Sequence, residues 1–459
     1  MENDQKYLSN NREKFNKELL DFISIPSIAA IPEHAKDVQK AASWLRARMS
    51  EAGIENVEIM ETGGQPAVYG DWMHAGNGKP TVLIYGHFDV QPVDPVELWD
   101  HDPFVPTIKD EKIFARGASD DKGSMFIPII VFEAIYKSGG SFPFNIKFLF
   151  EGEEEIASPK MPEFVSSNVD KLKCDMIFSA DGGQFSEDEP NLAVGFKGIL
   201  GFDIEVVGPE TDKHSGLFGA AIANPIMALT QLLSSMKNSD GEITIDGFYE
   251  EVVPLNNEDK AEIARVPFNE DQYLKFTGSV GLDGEAGYTA PERIGARPTL
   301  DINGIWGGYQ GVGTKTVLPS RANAKITCRL VANQKPKEIL KKVEKHVKKF
   351  LPNGVIGKVI PLQDEGDPLL IPENHRSTEV ARDVLKKVYG KDPYMIRVGG
   401  SIPILSAFYK YLGIHATMFA FQLDDENWHA PNEFFRLSSF YKGQEAYRQL
   451  FHKIGSLSS

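Results

Sequence analysis

Four short apolar runs constrain the architecture most, because each has the length of a buried strand and each is followed within a few residues by a side chain able to bind a cation. They are TVLIYG (81–86), NIKFLF (145–150), DMIFSA (175–180) and ATMFAFQ (416–422). Stretches with helical spacing separate or flank them, at 12–24, 37–52, SMFIPIIVFEAIYKSG (124–139), STEVARDVLKKVYG (377–390) and about 438–453. In 37–52, for example, Val38, Ala41, Leu45 and Met49 share one side. Apolar runs alternating with helices predict an α/β layered domain around a largely parallel sheet. In such sheets ligands bind in the crevice beyond the carboxyl ends of the strands. The residues at those ends are His87 and Asp89 in GHFDV, the glutamates of EGEEEIAS, Asp181, and His429 after a short acidic loop.

After Val194 the pattern changes. GILGFDIEVVG reads as a strand, NPIMALTQLLSSM as a helix, ANAKITCRLVAN as an alternating strand and PKEILKKVEKHVKKFL as an amphipathic helix. Together they predict a separate α+β module with an antiparallel sheet. Residues 240–312 are rich in Gly, Asp and Pro and show no assignable period; their GGYQGVG fits neither a P-loop nor a dinucleotide fingerprint and is read as turns. The α/β pattern returns beyond about residue 370. The second module is therefore expected to be an insertion, with 1–196 and 371–459 forming one discontinuous domain and 197–370 the other. A chain of 459 residues is long enough for two cores.

Charge narrows the partners. The formal net charge is −16, whereas phosphate binding needs clustered Lys and Arg, so neither nucleic acid nor an anionic membrane surface is expected. No apolar run approaches the ~20 residues that span a bilayer. Cys174 and Cys328 are the only cysteines, and MENDQKYLSNN has neither a basic nor an apolar leader region, so a cytoplasmic location is expected. Two cysteines leave any metal to imidazole and carboxylate, the donors of hard or borderline divalent cations.

Taken singly, a histidine at a strand end is more often a hydrogen-bonded residue than a ligand, and an acidic run is usually a solvated loop. Their conjunction favours a metal site. Two ions sharing a bridging carboxylate would need about five protein ligands. Asp120, in GASDDKG at the mouth of a helix beginning near Lys122, is either such a ligand or an N-cap. Neighbours on an extended chain point in opposite directions. Unless the strand has already turned, Glu154 and Glu155 are thus expected to do different jobs, one holding metal and the other acting as general base. Glu151 and Glu153 are expected to be solvated or structural.

At YGHFDVQP, RGASDDKG, EGEEEIAS, SADGG, DKHSG, RVGGSIP and HAPNE, in this order from residue 85 to 433, the sequence resembles the M20 metallopeptidase family, in its carnosinase-like cytosolic dipeptidase branch. The resemblance implies a zinc-peptidase-like three-layer αβα catalytic domain carrying an inserted α+β (ferredoxin-like) lid and dimerisation domain. It implies two divalent ions per subunit, zinc with manganese or cobalt as alternatives. By position, His87 and Asp181 would bind one ion, Glu155 and His429 the other, and Asp120 both. Glu154 would be the general base for a metal-activated water, Asp89 would orient His87, and His214 would reach the partner's site in a homodimer. Arg329, Gly400 and Ser401 would hold a substrate's terminal carboxylate. Many relatives have Glu at the position of Val398 and Gly at that of Ala157. The implied reaction is hydrolysis of the amide bond of dipeptides or similar small peptides. An N-acyl amino acid deacylase or desuccinylase on the same centre is the alternative, and a non-enzymatic binding protein a further one. A paired-carboxylate glycosidase would leave both histidines without a role.

Overall fold

The apolar runs fold as adjacent strands. A computed structural model describes residues 2–76, 78–372 and 374–457. Strands Asn145–Glu151, Thr81–His87, Met176–Ser179 and Ala416–Met418 lie side by side in that order, all parallel. Ala67–Trp72 and then Glu55–Met60 extend the sheet antiparallel beyond Asn145–Glu151. Every residue of Asn145–Glu151 is buried, which is why Phe148, Leu149 and Phe150 follow one another without polar alternation. Tyr85 and Gly86 face opposite layers. The Tyr85 ring meets Phe408 of helix Pro403–Leu412 edge-on at 5.4 Å, while a Cβ at Gly86 would lie 2.8 Å from the Cβ of Met125 in helix Lys122–Lys137. Only glycine lets that helix approach the strand so closely.

The expected strand through ATMFAFQ is divided. Ala416–Met418 belongs to the main sheet, and Gln422–Leu423 pairs with Gly183–Gln184. Between them Phe419 and Phe421 pack edge-on at 5.5 Å in the interior. None of the described helices is long and apolar enough to cross a membrane.

The chain forms two compact units, one comprising Met1–Ala193, Ile371–Met395 and Pro403–Ser459, the other Val194–Leu370 with Ile396–Ile402. The segment bearing RVGGSI thus joins the second unit, although the strand Tyr394–Val398 that leads into it begins in the first. In the second unit four antiparallel strands stand in the order Thr299–Gly307, Arg321–Leu330, Gly198–Val207, Ile356–Gly366. With helices Pro225–Ser234 and Pro336–Phe350 this is a β-α-β-β-α-β, ferredoxin-like arrangement. Leu200, Phe202, Ile204 and Val206 share its core with Leu229, Leu232, Ile339 and Val343. The stretch without assignable period holds helices Asn257–Arg265, Glu270–Thr277 and Ala290–Ala296, opened by side-chain caps from Asn256, Asn269 and Thr289. Caps start these helices without an apolar stripe: only Ile263, Glu292 and Ala296 are buried.

Candidate metal centre

The predicted side chains converge at the carboxyl ends of the parallel strands. His87 ends its strand, and Asp181 lies two residues beyond Ser179. Asp120 comes from the turn before Lys122–Lys137, and His429 from the loop after Gln422–Leu423. His87 Nε2 lies 3.1 Å from one Asp120 oxygen and His429 Nε2 3.1 Å from the other. His429 Nε2 is also 3.1 Å from Glu155 Oε2. Two triads result, His87–Asp120–Asp181 and Asp120–Glu155–His429, each with ligand atoms within 4.8 Å of one another. Asp120 is not the helix cap. That position is Asp121, whose carboxylate instead accepts the His87 backbone N–H at 3.3 Å and the Gln422 amide at 3.2 Å.

Asp89 ties two parts of the site together. Its carboxylate accepts the backbone N–H groups of Glu154 and Glu155, each at 3.1 Å, and its backbone and side-chain oxygens lie 3.1 and 3.4 Å from His87 Nδ1. The strand has already turned before Glu154 and Glu155, so alternation is not what sets them apart. The strand ends at Glu151, and Glu154–Ile156 is a single 3-10 turn. The surroundings of the two carboxylates nevertheless differ. Glu155 meets His429 and accepts from the Gln91 amide at 2.8 Å, whereas among the described residues the Glu154 carboxylate takes part in no hydrogen bond.

Glu151 and Glu153 are not solvated; both are buried. Glu151 accepts from the Tyr85 hydroxyl at 2.5 Å and from Ser158 at 3.0 Å, and Glu153 from the backbone N–H groups of Gln65 and Lys160. An acidic run can enter the interior when its carboxylates satisfy turn donors in this way. The turn ends on Ala157 at φ +68, left-handed backbone that costs a non-glycine residue about 1–2 kcal/mol. Ala157→Gly is expected to raise stability by about 0.5–1 kcal/mol after the extra chain entropy of glycine; an unchanged urea midpoint would show that the turn carries no strain.

The donor set fits divalent cations. Imidazole nitrogen and carboxylate oxygen are their usual ligands, and the side chains crowd like charges in a way that cations relieve. Burial pushes Asp181 up to about 6 and Glu155 up to about 7. It drives Glu154 well above the carboxylate range, and Asp181 and Glu155 add repulsion. Burial resists ionisation of Asp120 too, but hydrogen bonds from His429 and His87 hold its carboxyl low. Burial likewise opposes charge on His87, yet Asp120 and Asp89 keep it protonated well above its ordinary value. Hydrogen bonds to Asp120 and Glu155 lift His429 to about 10.

The remaining candidates lie in the second unit. Arg329, on the polar face of its strand, donates to the Ser401 hydroxyl at 3.1 Å, and Gly400 accepts the Lys197 backbone N–H at 3.0 Å. His214 is exposed and caps the short helix Ser215–Phe218 by accepting the Gly216 N–H at 3.0 Å. Sequence reasoning assigned nothing to Gln91, Asp121, Gln422 or Glu433, all of which hydrogen-bond around the first unit's cluster. Gln91, Asp121 and Glu433 stand inside the YGHFDVQP, RGASDDKG and HAPNE segments, a signal of place but not of role.

Residues 83–453 match the sequence profile of peptidase family M20/M25/M40. The Cys-Gly metallodipeptidase dug1 of Schizosaccharomyces pombe is 30% identical over 472 aligned positions, covering 98% of each chain. The Beta-Ala-His dipeptidase of Homo sapiens is 30% identical over 383, covering 83% of this chain and 76% of the human one. Among solved structures, the M20 family metallo-carboxypeptidase Sso-CP2 from Sulfolobus solfataricus superposes with a TM-score of 0.83 at 30% identity, over 96% of this chain and 99% of its own. The profile spans both flanks of the insertion and runs from the strand bearing His87 to beyond the loop bearing His429, so the chain belongs to the M20/M25/M40 peptidase family.

Proposed function

We propose that the protein hydrolyses the amide bond of dipeptides or similarly small peptides at a centre of two divalent cations, zinc with manganese or cobalt as alternatives. The observation that carries this reading is the pair of ligand triads sharing Asp120, beside a Glu154 carboxylate that takes part in no hydrogen bond among the described residues. Its support is that relatives aligned over nearly the whole chain are named metallodipeptidases. His87 and Asp181 would hold one ion, Glu155 and His429 the other, and Asp120 both. When bound, such ions supply Lewis acidity toward a carbonyl and lower the pKa of water from ~15.7 toward about 7.

The protein's own groups do the rest. Glu154 takes a proton from the attacking water and passes it to the departing amine nitrogen, a role worth about 10²–10⁴ in rate. Asp89 holds His87 by Nδ1 and fixes the Glu154–Glu155 turn through two backbone donors. Arg329, with Ser401 and Gly400, binds the substrate carboxylate as a charge-assisted hydrogen-bonding set. The second unit acts as lid and homodimer contact, and His214 binds the substrate carbonyl oxygen of the partner's site.

Metal analysis of the purified protein, coupled to assays on Cys-Gly, Ala-Gly and N-acetyl amino acids before and after chelation, tests this reading. Two ions per chain and dipeptide hydrolysis that chelation removes are the expected result. Turnover of the acetylated compounds alone would move the assignment to a deacylase. No metal uptake and no turnover would end it.

A further inference from the structure

Asp120 reaches both histidines only if the loop carrying it is held still, and the loop has little regular structure of its own. Residues 116–120 lie between the short strand Lys112–Phe114 and helix Lys122–Lys137. They curl around one buried carboxylate, that of Glu433. Glu433 Oε1 accepts the backbone N–H groups of Ser119 at 2.9 Å and Asp120 at 3.0 Å. Oε2 accepts the backbone N–H of Gly117 at 2.9 Å and Nη1 of Arg116 at 2.8 Å. Four donors from five successive residues thus share one anion, the kind of concave backbone cradle that otherwise binds free anions.

The carboxylate comes from the other half of the site. Glu433 is four residues beyond His429 in the same loop, and its backbone oxygen accepts the Ala115 N–H at 3.1 Å. One side chain therefore ties the loop bearing Asp120 to the loop bearing His429, the two residues whose Nε2···Oδ2 separation is 3.1 Å. Gly117 permits the curl: its φ is +81, and a Cβ there would stand 2.4 Å from Val90 Cγ1.

We propose that Glu433 is a positioning residue for the metal centre, setting cation affinity by holding Asp120 and His429 in register while touching neither the ions nor the substrate. The proposal rests on the two-cation reading above. Glutamine at 433 has one acceptor oxygen and an NH₂ group, so the NH₂ would face N–H donors and leave some of them without an acceptor. Partners of this kind behind metal ligands typically matter by about 10–100-fold in affinity.

The test is competition for zinc between the full-length holoenzyme and a chelator of known affinity, on wild type, Glu433→Gln and Glu133→Gln, at a temperature where all three are folded by circular dichroism. Glu133 is the control for damage alone, because it is an equally buried carboxylate that bonds Tyr7, Lys14 and Arg48 instead. Glu433→Gln is expected to bind zinc about 10–100-fold more weakly and to regain turnover as zinc is added. Glu133→Gln is expected to melt earlier with wild-type zinc affinity. Wild-type affinity in Glu433→Gln, or an equal loss in both variants, overturns the proposal. Should Glu433→Gln not fold, Glu433→Asp, which keeps the charge but withdraws it by one methylene, is judged by the same two outcomes. A wild type that binds no zinc removes the two-cation reading itself, and the proposal with it; wild-type binding with unaffected Glu433→Gln removes the proposal alone.

Discussion

Glu154→Gln is expected to lower kcat by about 10²–10⁴-fold, equivalent to about 3–5 kcal/mol of transition-state stabilisation, with both ions retained. The reason is a division of labour visible in the contacts. Glu155 meets His429 and Gln91, whereas the Glu154 carboxylate has no hydrogen-bond partner among the described residues and belongs to neither triad. Glutamine preserves shape and cannot carry the proton. It also removes a charge that burial and the neighbouring Asp181 and Glu155 disfavour, so the metal-free variant should be more stable than metal-free wild type near pH 8. Turnover by the standard dipeptide assay, with metal content measured on the same sample, decides the matter. Activity within tenfold of wild type would refute the base assignment, and loss of metal would place Glu154 among the ligands.

Chelation is the second large effect: turnover is expected to disappear, and the melting temperature to fall by an amount that grows between about pH 5 and 9. The sign follows from the folded-state proton affinities. In the metal-free chain Asp181 is raised from 3.8 to about 6 and Glu155 from 4.5 to about 7, both by burial. The folded state then binds more protons than the unfolded one, so stability declines as pH rises from the ordinary value through the raised one. His429, raised from 6.5 to about 10 by Asp120 and Glu155, contributes stability that is fully present below 6.5 and lost as pH climbs toward 10. His87 acts in the same sense. Asp120, held low, contributes above its ordinary 3.8 and is constant across this window. Each tenfold change in proton affinity is worth about 1.4 kcal/mol. Cation binding needs the deprotonated ligands and strengthens over the same range; free metal at a thousand times its Kd adds about 4 kcal/mol. Melts with and without chelator from pH 5.5 to 8.5 should therefore diverge. Curves that stay parallel would argue against cations at this cluster.

Several elements were legible because their signal is local. TVLIYG and NIKFLF became Thr81–His87 and Asn145–Glu151, and the spacing of Val38, Ala41, Leu45 and Met49 became helix Ala35–Ala52. Others carried no such signal. Glu55–Met60 is an edge strand with no fully buried residue, and Thr299–Gly307 buries only Leu300, so neither shows an apolar period. The helices of 257–296 begin at side-chain caps and bury little. Whether Glu153 is solvated or structural was open in the sequence, because nothing in EGEEEIAS announces that the N–H groups of Gln65 and Lys160 will meet it.

What the amino-acid order determined alone is which residue types stand at the ends of apolar runs, since periodicity, breakers and strand length are properties of residues a few places apart. That was enough to nominate His87, Asp120, Glu154, Glu155, Asp181 and His429. Only the tertiary structure decided that Asp120 rather than Asp121 faces both histidines, that a turn and not a strand separates Glu154 from Glu155, and that Glu433 reaches back over 313 residues to the Asp120 backbone. Those outcomes depend on which distant segments pack together and on how much water each carboxylate loses there. Neither quantity exists until the sheet has assembled.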